Sequence, residues 1–297
     1  MQIRKAERKK AKLRLGIAAT SGAGKTYSSI LIAKGLEGKI GLIDTEHGSG
    51  DLYADLCDYD IIPISAPYTV AKYIEAIKLF EANGYSTIII DSLSHAWAGD
   101  GGLLDKQGKI ADSGKGNGYT AWRTVTPEHN SLVDAMLQSK CHIIATMRAK
   151  TEYVIEKNDK GKDTPRKVGM APIQRDGMEY EFTVMLDIDM NHVASASKDR
   201  TRLFDGQYFK ITEETGKSLH EWLERGEPEK VIEPLNAGEL TNQINAQQST
   251  ADLKSLWDTI KAECVARDDK PTHELLVPVV TARLQYLKEM ESEDKVA

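Results

Sequence analysis

Residues 19–26 read Ala19-Thr20-Ser21-Gly22-Ala23-Gly24-Lys25-Thr26, and residues 13–18 ahead of them are apolar enough for a buried strand. A strand that turns through a glycine-bearing loop into a helix points successive backbone N–H groups at one spot, with the positive end of the helix dipole behind them. Such a cradle holds phosphate oxygens, so the pattern predicts a P-loop. In it Lys25 reaches the β- and γ-phosphates and the Thr26 hydroxyl ligates Mg²⁺. The first position of the motif, ordinarily glycine, is Ala19 here; one methyl group fits wherever the backbone keeps an ordinary conformation. Ala19, Thr20, Ser21, Gly22, Ala23, Gly24, Lys25 and Thr26 are therefore the expected contacts of ATP and Mg²⁺.

A phosphate loop of this kind needs a sheet behind it. Short apolar runs at 40–43, 61–64, 87–90 and 142–145 alternate with helical periodicity at 26–35, 70–82 and 131–138. Apolar strands alternating with helices predict an α/β fold, a mostly parallel sheet with helices on both faces and ligands at the carboxyl ends of the strands. Beyond residue 150 the pattern changes. Residues 179–190, 192–197, 201–204 and 207–211 read as strands joined by turns at Asn191, Asp199 and Asp205-Gly206, an antiparallel extension of the sheet. A short helix at 219–224 closes it and Gly226-Glu227-Pro228 breaks that helix. Helices are expected at 237–246, 250–267 and 272–290, the last kinked or delayed by Pro278. The expected organisation is a basic arm over 1–12, a P-loop domain over 13–226, a small C-terminal helical unit over 235–290 and a frayed tail over 291–297.

With 297 residues, 40% of them apolar, the chain can hold one domain of about 200 residues and a smaller one. A net charge of −6 argues against a protein that coats nucleic acid with its whole surface, though not against a local basic groove. Cys57, Cys141 and Cys264 lack C-x-x-C spacing, so neither zinc nor disulfides are expected and the compartment reads as reducing and cytoplasmic. No apolar run approaches the roughly 18 residues of a membrane span, and no apolar segment follows the charged N-terminus as in a secretory signal. The arm carries Arg4, Lys5, Arg8, Lys9, Lys10, Lys12 and Arg14 against Glu7 alone. It reads as a solvated helix or fraying segment, or more sharply as an arm that contacts phosphates.

Hydrolysis of a triphosphate needs the metal supported from a second side. Asp91, directly after Thr87-Ile88-Ile89-Ile90, fits that Walker B role, with Mg²⁺ held through water. Where an earlier strand ends, Leu42-Ile43-Asp44-Thr45-Glu46-His47 supplies further acids. A carboxylate there can orient the attacking water, and Glu46 has the longer reach than Asp44; the plainer alternative is a turn cap. His47, His95 and His142 share no metal-ligand spacing and read as packed or surface residues.

Gly24-Lys25-Thr26, Ile43-Asp44-Thr45-Glu46-His47, Ile90-Asp91-Ser92 and Met147-Arg148-Ala149-Lys150 occur in the order and approximate spacing of RecA-like recombination ATPases. Over about residues 13–225 the chain most resembles the compact phage-encoded, AAA-type RecA-fold proteins associated with single-strand annealing. The resemblance implies a RecA-like P-loop domain in which Glu46 activates water and Thr146, ending its strand, senses the γ-phosphate; RecA itself carries an amide there. It implies DNA-facing loops at 100–119, glycine-rich with Lys106, Lys109 and Lys115, and at 149–175, with Lys150, Lys157, Lys160, Lys162, Arg166, Lys167 and Arg175 partly offset by acids. Tyr119, Trp122 and Tyr153 are candidate stacking faces, Trp122 equally a core residue. In the turn Ser197-Lys198-Asp199-Arg200, Lys198 and Arg200 resemble the cationic finger that a neighbouring subunit places against the γ-phosphate, which implies a homo-oligomer.

The leading expectation is thus a cytoplasmic ATPase, in the host bacterium if phage-encoded, that binds single-stranded DNA and assists recombination or annealing. A P-loop kinase of a small substrate and a non-hydrolysing, nucleotide-gated binding module remain open, and the C-terminal helices offer a place for a protein partner.

Overall fold

The strands nearest the phosphate loop carry apolar runs because both faces of their sheet are covered there. The computed structural model describes residues 5–113, 118–157, 163–227, 235–267 and 269–293, and two units emerge, Met1–Pro228 and Glu229–Ala297. The first runs β1 (Arg14–Ala19), α1 (Lys25–Gly35), β2 (Ile40–Asp44), β3 (Asp60–Pro63), α2 (Val70–Ala82), β4 (Thr87–Asp91), α3 (Ser94–Ala98), α4 (Leu103–Asp112) and α5 (Gly118–Gln138). It continues through β5 (His142–Lys157), β6 (Asp163–Pro172), β7 (Val184–Ile188), β8 (Ala194–Asp199), β9 (Tyr208–Phe209) and α6 (Glu213–Glu224). Among the described residues the sheet order is β3-β2-β4-β5-β1-β7-β8-β9, with β6 paired to β5. Pairing is parallel from β3 to β7 and antiparallel across β7, β8 and β9, and β6 runs antiparallel to the outer half of β5. This is a mixed α/β sheet consistent with a P-loop nucleotide-binding fold.

Strand alternation sends Ile88 and Ile90 of β4 into a core with Tyr73, Ile77 and Phe80 of α2 and Val125 and Leu132 of α5, whereas Ile89 joins Ile30 and Ile32 of α1 and Leu219 of α6. Each of these isoleucines is fully buried and contributes roughly 2 kcal/mol by leaving water. Helices α1 and α6 touch backbone to backbone: a Cβ on Gly216 would lie 2.2 Å from the Ile32 carbonyl oxygen, and one on Gly35 would lie 2.3 Å from that of Glu213. Parallel register then levels the carboxyl ends of four strands, since Ala19 faces Arg148, Ile90 faces Ala145 and Asp44 faces Asp91.

Several expected elements differ. The stretch 100–113 is not an open glycine-rich loop: α4 fills most of it, with Leu103 buried and Lys109 paired to Asp105 at 2.6 Å, one turn apart. Lys106 is paired with Glu128 of α5. Helix α5 begins at Gly118 rather than near 131, because Ala121, Val125, Leu132 and Met136 make one buried stripe that carries the helix through Pro127. Residues 149–157 pair antiparallel with residues 163–172 as strands β5 and β6 rather than forming an open loop. Residues 201–204 are a turn, not a strand: the Asp199 carboxylate accepts from the Thr201 amide and hydroxyl at 2.7 and 2.5 Å and from the Phe204 amide at 2.7 Å. Only Val184–Ile188 of the long expected strand over 179–190 is extended, Met178–Glu181 being a 3-10 turn, and the following strand starts at Ala194. Arg4, Lys115, Lys160, Lys162 and Pro228 lie outside the described residues, as do the side chains of Tyr153, Lys157, Arg166 and Lys167.

Over its described residues, 5–12, the basic arm is neither helical nor free. Lys9 bridges Glu227, the Arg8 guanidinium lies 4.4 Å from the Trp222 ring centre, and Lys10 pairs with Glu224. Arg14, counted with the arm by charge, is a buried strand residue. Its guanidinium donates to the carbonyls of Leu13, Leu137, Ser139 and Cys141, closing the C-terminal end of α5 where cations are favoured. Burial lowers its pKa only to about 10. Beside it, buried His142 accepts the Leu13 amide on Nδ1 at 3.0 Å, and burial, aided by Lys12, pushes its pKa down to about 3.

The second unit holds α7 (Ala237–Ala246), α8 (Thr250–Arg267) and α9 (Lys270–Glu293) around Ile244, Leu253, Ile260, Cys264, Leu276 and Leu287. Helix α9 passes through Pro278. Glu291, expected in a frayed tail, accepts the Thr250 amide at 2.8 Å and so caps α8. Among the described residues no helix is long and apolar enough to cross a membrane.

Two predictions follow from Arg14 and His142. Arg14→Met leaves buried carbonyls unpaired and should cost about 2–4 kcal/mol in urea unfolding, with Arg14→Lys intermediate. His142 is neutral in the fold but protonates below its ordinary 6.5 once unfolded. Stability should therefore be unaffected by this group above pH 6.5 and fall on acidification by up to about 1.4 kcal/mol per unit. His142→Asn, titrated alongside wild type between pH 7 and 5, should show a shallower loss; parallel slopes would contradict the assignment.

Candidate active site

The loop after β1 reaches α1 through Gly24, whose φ of 94° puts it in the left-handed region at the helix start. An L side chain is strained there, which is why this position is glycine. No side chain caps the first turn of α1, so its amides are left to a ligand. Lys25 folds back to donate to the carbonyls of Ala19 at 3.2 Å and Thr20 at 3.0 Å, both on the loop. Burial lowers the Lys25 pKa, and Asp91 and Glu46 partly offset the shift.

Asp91 ends β4 at 1% exposure. The Thr26 hydroxyl donates to its Oδ2 and the Thr146 hydroxyl to its Oδ1, each at 2.5 Å. Burial raises its pKa despite these bonds and nearby Lys25, and a cation alongside would favour its ionised form. Among the described residues no cluster of three metal-binding side chains exists. Mg²⁺ takes one or two protein oxygens and completes its shell with phosphate and water; Thr26 and Asp91 are the residues that would supply such a pair.

Asp44 and Glu46 divide their work. The Asp44 carboxylate accepts the amides of Glu46 at 2.6 Å, Gly48 at 2.9 Å and Gly50 at 3.4 Å. It is the turn organiser, and it holds Glu46 over the cleft. Glu46 Oε1 accepts from Ser92 Oγ and from Arg148 Nε, both at 2.9 Å, while Arg148 Nη2 donates to Oε2. Burial alone would raise the Glu46 carboxyl, yet the hydrogen bonds from Arg148 and Ser92 outweigh it and leave it below its ordinary value. Thr45, between the two acids, accepts the Ser92 amide at 2.8 Å and meets His95 Nδ1 at 2.7 Å, so His95 is a supporting residue.

These groups surround one cleft of about 510 Å³, lined by Ser21, Gly22, Gly24, Lys25, Thr26, Glu46, Ser49, Tyr53, Asp91, Arg148, Ala149 and Ile173. A neighbouring hollow of about 360 Å³ shares Gly22, Gly24 and Tyr53 and adds Tyr27, Ser28, His192, Lys210 and Ile211. His192 bonds the Ala23 carbonyl through Nδ1 at 3.0 Å, fastening the β7–β8 turn to the phosphate loop. Volume and mixed lining suit a nucleotide-sized ligand.

The structure brings together Lys25, Thr26, Glu46 and Asp91 from three separate segments. Thr146 is adjacent but fully buried, and its hydroxyl is spent on Asp91. Lys198 and Arg200 are elsewhere: Lys198 pairs with Met185 near the start of β7, at the end of the sheet opposite the phosphate loop. Their side chains donate to backbone carbonyls, Lys198 to Glu179 at 3.1 Å and to Tyr180 at 2.5 Å and Arg200 to Tyr180 at 3.5 Å. Trp122 stacks on Trp97 and lies 5.9 Å from the Arg175 guanidinium. Sequence reasoning quoted Ser92 and Arg148 only inside segments that carry the resemblance and gave them no part in the site, and it did not single out Tyr53. The available signal for Arg148 was a charged side chain just past an apolar run.

No curated protein matched the chain. The model of the AAA domain family matches residues 11–219, well over half of the 297-residue chain, and spans every cleft residue named above. The chain belongs to this AAA domain family of P-loop ATPase-type, nucleotide-binding proteins.

Proposed function

We propose that this protein is a RecA-like ATPase that hydrolyses Mg²⁺–ATP in the Lys25–Asp91 cleft and works on single-stranded DNA in recombination or annealing. One observation carries the reading: a P-loop lysine and threonine, a strand-end aspartate and a second carboxylate from another strand converge on a single nucleotide-sized cleft. The uncapped amides of α1 and Lys25 bind the phosphates, and Thr26 and Asp91 support the metal, which neutralises charge on the transferring group when bound. Glu46 accepts the proton of the attacking water as its oxygen bonds to the γ-phosphorus. The bond from that phosphorus to the β,γ-bridging oxygen breaks, and its electron pair leaves with ADP.

DNA binding is supported mainly by resemblance and less by the β5–β6 hairpin, which continues the strand that carries Arg148 and bears Lys150, Lys157, Arg166 and Lys167 along its sequence, partly offset by Glu152, Glu156 and Asp163. A basic hairpin tracks a phosphate backbone with affinity that falls as salt rises. Because Lys198 and Arg200 lie at the far end of their own sheet, they serve a γ-phosphate only in trans, on a neighbouring copy.

Phosphate release tests the reading. Lys25→Ala should abolish nucleotide binding and release together. Glu46→Gln should keep binding and lose release by roughly 100-fold or more. A single-stranded oligothymidine should raise wild-type turnover, less so at higher salt. A phosphorylated acceptor in place of free phosphate would identify a kinase, and a Glu46→Gln protein indistinguishable from wild type would identify a binding module.

A further inference from the structure

We infer that Arg148 is a catalytic residue acting in cis, placing positive charge on the terminal phosphate from within the same chain; the inference rests on the ATPase reading above. The argument begins with position. Register pairs Arg148 with Ala19, the first residue of the phosphate loop, so the guanidinium stands beside the cradle rather than across it. Its backbone is fixed on both sides, the amide by Ser94 Oγ at 3.0 Å and the carbonyl by the Ile173 amide at 2.6 Å. A side chain on so constrained a stretch of strand returns to the same place in every catalytic cycle.

Charge supplies the second step. The cleft contains two carboxylates, Glu46 and Asp91, and a terminal phosphate entering beside an ionised Glu46 meets like charge. Lys25 alone does not balance both. Arg148 spends Nε and Nη2 on Glu46, and a guanidinium carries five N–H donors in a rigid fork. Among the described residues no bond engages Nη1. The fork can therefore hold the water-activating carboxylate with one edge and a phosphate oxygen with the other. It thereby screens the two anions from each other and stabilises the charge that builds on the transferring group. The other cationic candidates, Lys198 and Arg200, have no such access within the chain.

The test separates this role from a structural one and from the ATPase reading itself. Fluorescent ATP and ADP analogues report binding, and phosphate release reports turnover, for wild type, Arg148→Met, Arg148→Lys and Glu46→Gln. Contact with the terminal phosphate predicts that Arg148→Met loses about 10- to 100-fold of the preference for ATP over ADP. ADP affinity and melting temperature should stay put, and turnover should fall by roughly 100- to 1000-fold. Arg148→Lys, which keeps the charge without the fork, should lie between. An unchanged ATP/ADP preference, equal loss of both nucleotides, or faster turnover in Arg148→Met would overturn the assignment, the last showing that Arg148 merely restrains Glu46. If wild type binds ATP but releases no phosphate and Glu46→Gln behaves identically, the ATPase reading fails, while the ATP/ADP preference still decides whether Arg148 touches the terminal phosphate.

Discussion

The site depends on one buried carboxylate. Asp91 sits at 1% exposure where β4 ends, and the hydroxyls it accepts come from the phosphate-loop helix and from β5. Burying a charge without partners is expensive, so the two hydroxyls are a condition for Asp91 to remain there at all. The same bonds tie α1, β4 and β5 into one unit at the carboxyl edge of the sheet. Movement of the loop against the sheet must break a short hydrogen bond in a dry environment, which keeps the metal-supporting pair in place.

Around that point the chain uses like residues for unlike ends. Asp44 and Asp91 face each other across β2 and β4, yet one accepts three backbone amides and shapes a turn while the other accepts hydroxyls beside the phosphate loop. Glu46, two residues on, escapes both roles and is met by Arg148 and Ser92. Its carboxyl is thereby held low and ionised, the form needed to take a proton. Arg14 and Arg148 show the same division among cations, since the first closes a helix end in the core and the second lines the cleft.

Much of this was legible from residue order. The runs at 40–43 and 87–90, the helix at 70–82 and the helices at 237–246 and 250–267 carry periodicities that burial on one or both faces enforces, and the structure places elements there. Less legible were features that depend on partners distant in sequence. The glycines and lysines of 100–119 suggest a loop, but Leu103 and the Asp105–Lys109 pair make a helix of its residues Leu103–Asp112. Residues 201–204 have strand composition, yet Asp199 takes their amides. Arg14 looks like the last member of a basic arm until the carbonyls ending α5 are seen around it.

The sequence by itself determined the phosphate cradle, because a loop closing in Gly24-Lys25-Thr26 between strand and helix is a local arrangement whose geometry a few consecutive residues specify. It also determined that Asp44 and Asp91 end strands, with Glu46 just past the first, since apolar runs stop where charge begins. Only the tertiary structure decided which strands lie side by side, and so which ends meet. Insertion of β5 between β1 and β4 brings Thr146 to Asp91 and Arg148 to Glu46, and antiparallel return of β8 carries Lys198 away from the cleft. Those outcomes follow from burying both faces of one sheet, a constraint that acts on the whole chain at once and leaves no mark on any short segment.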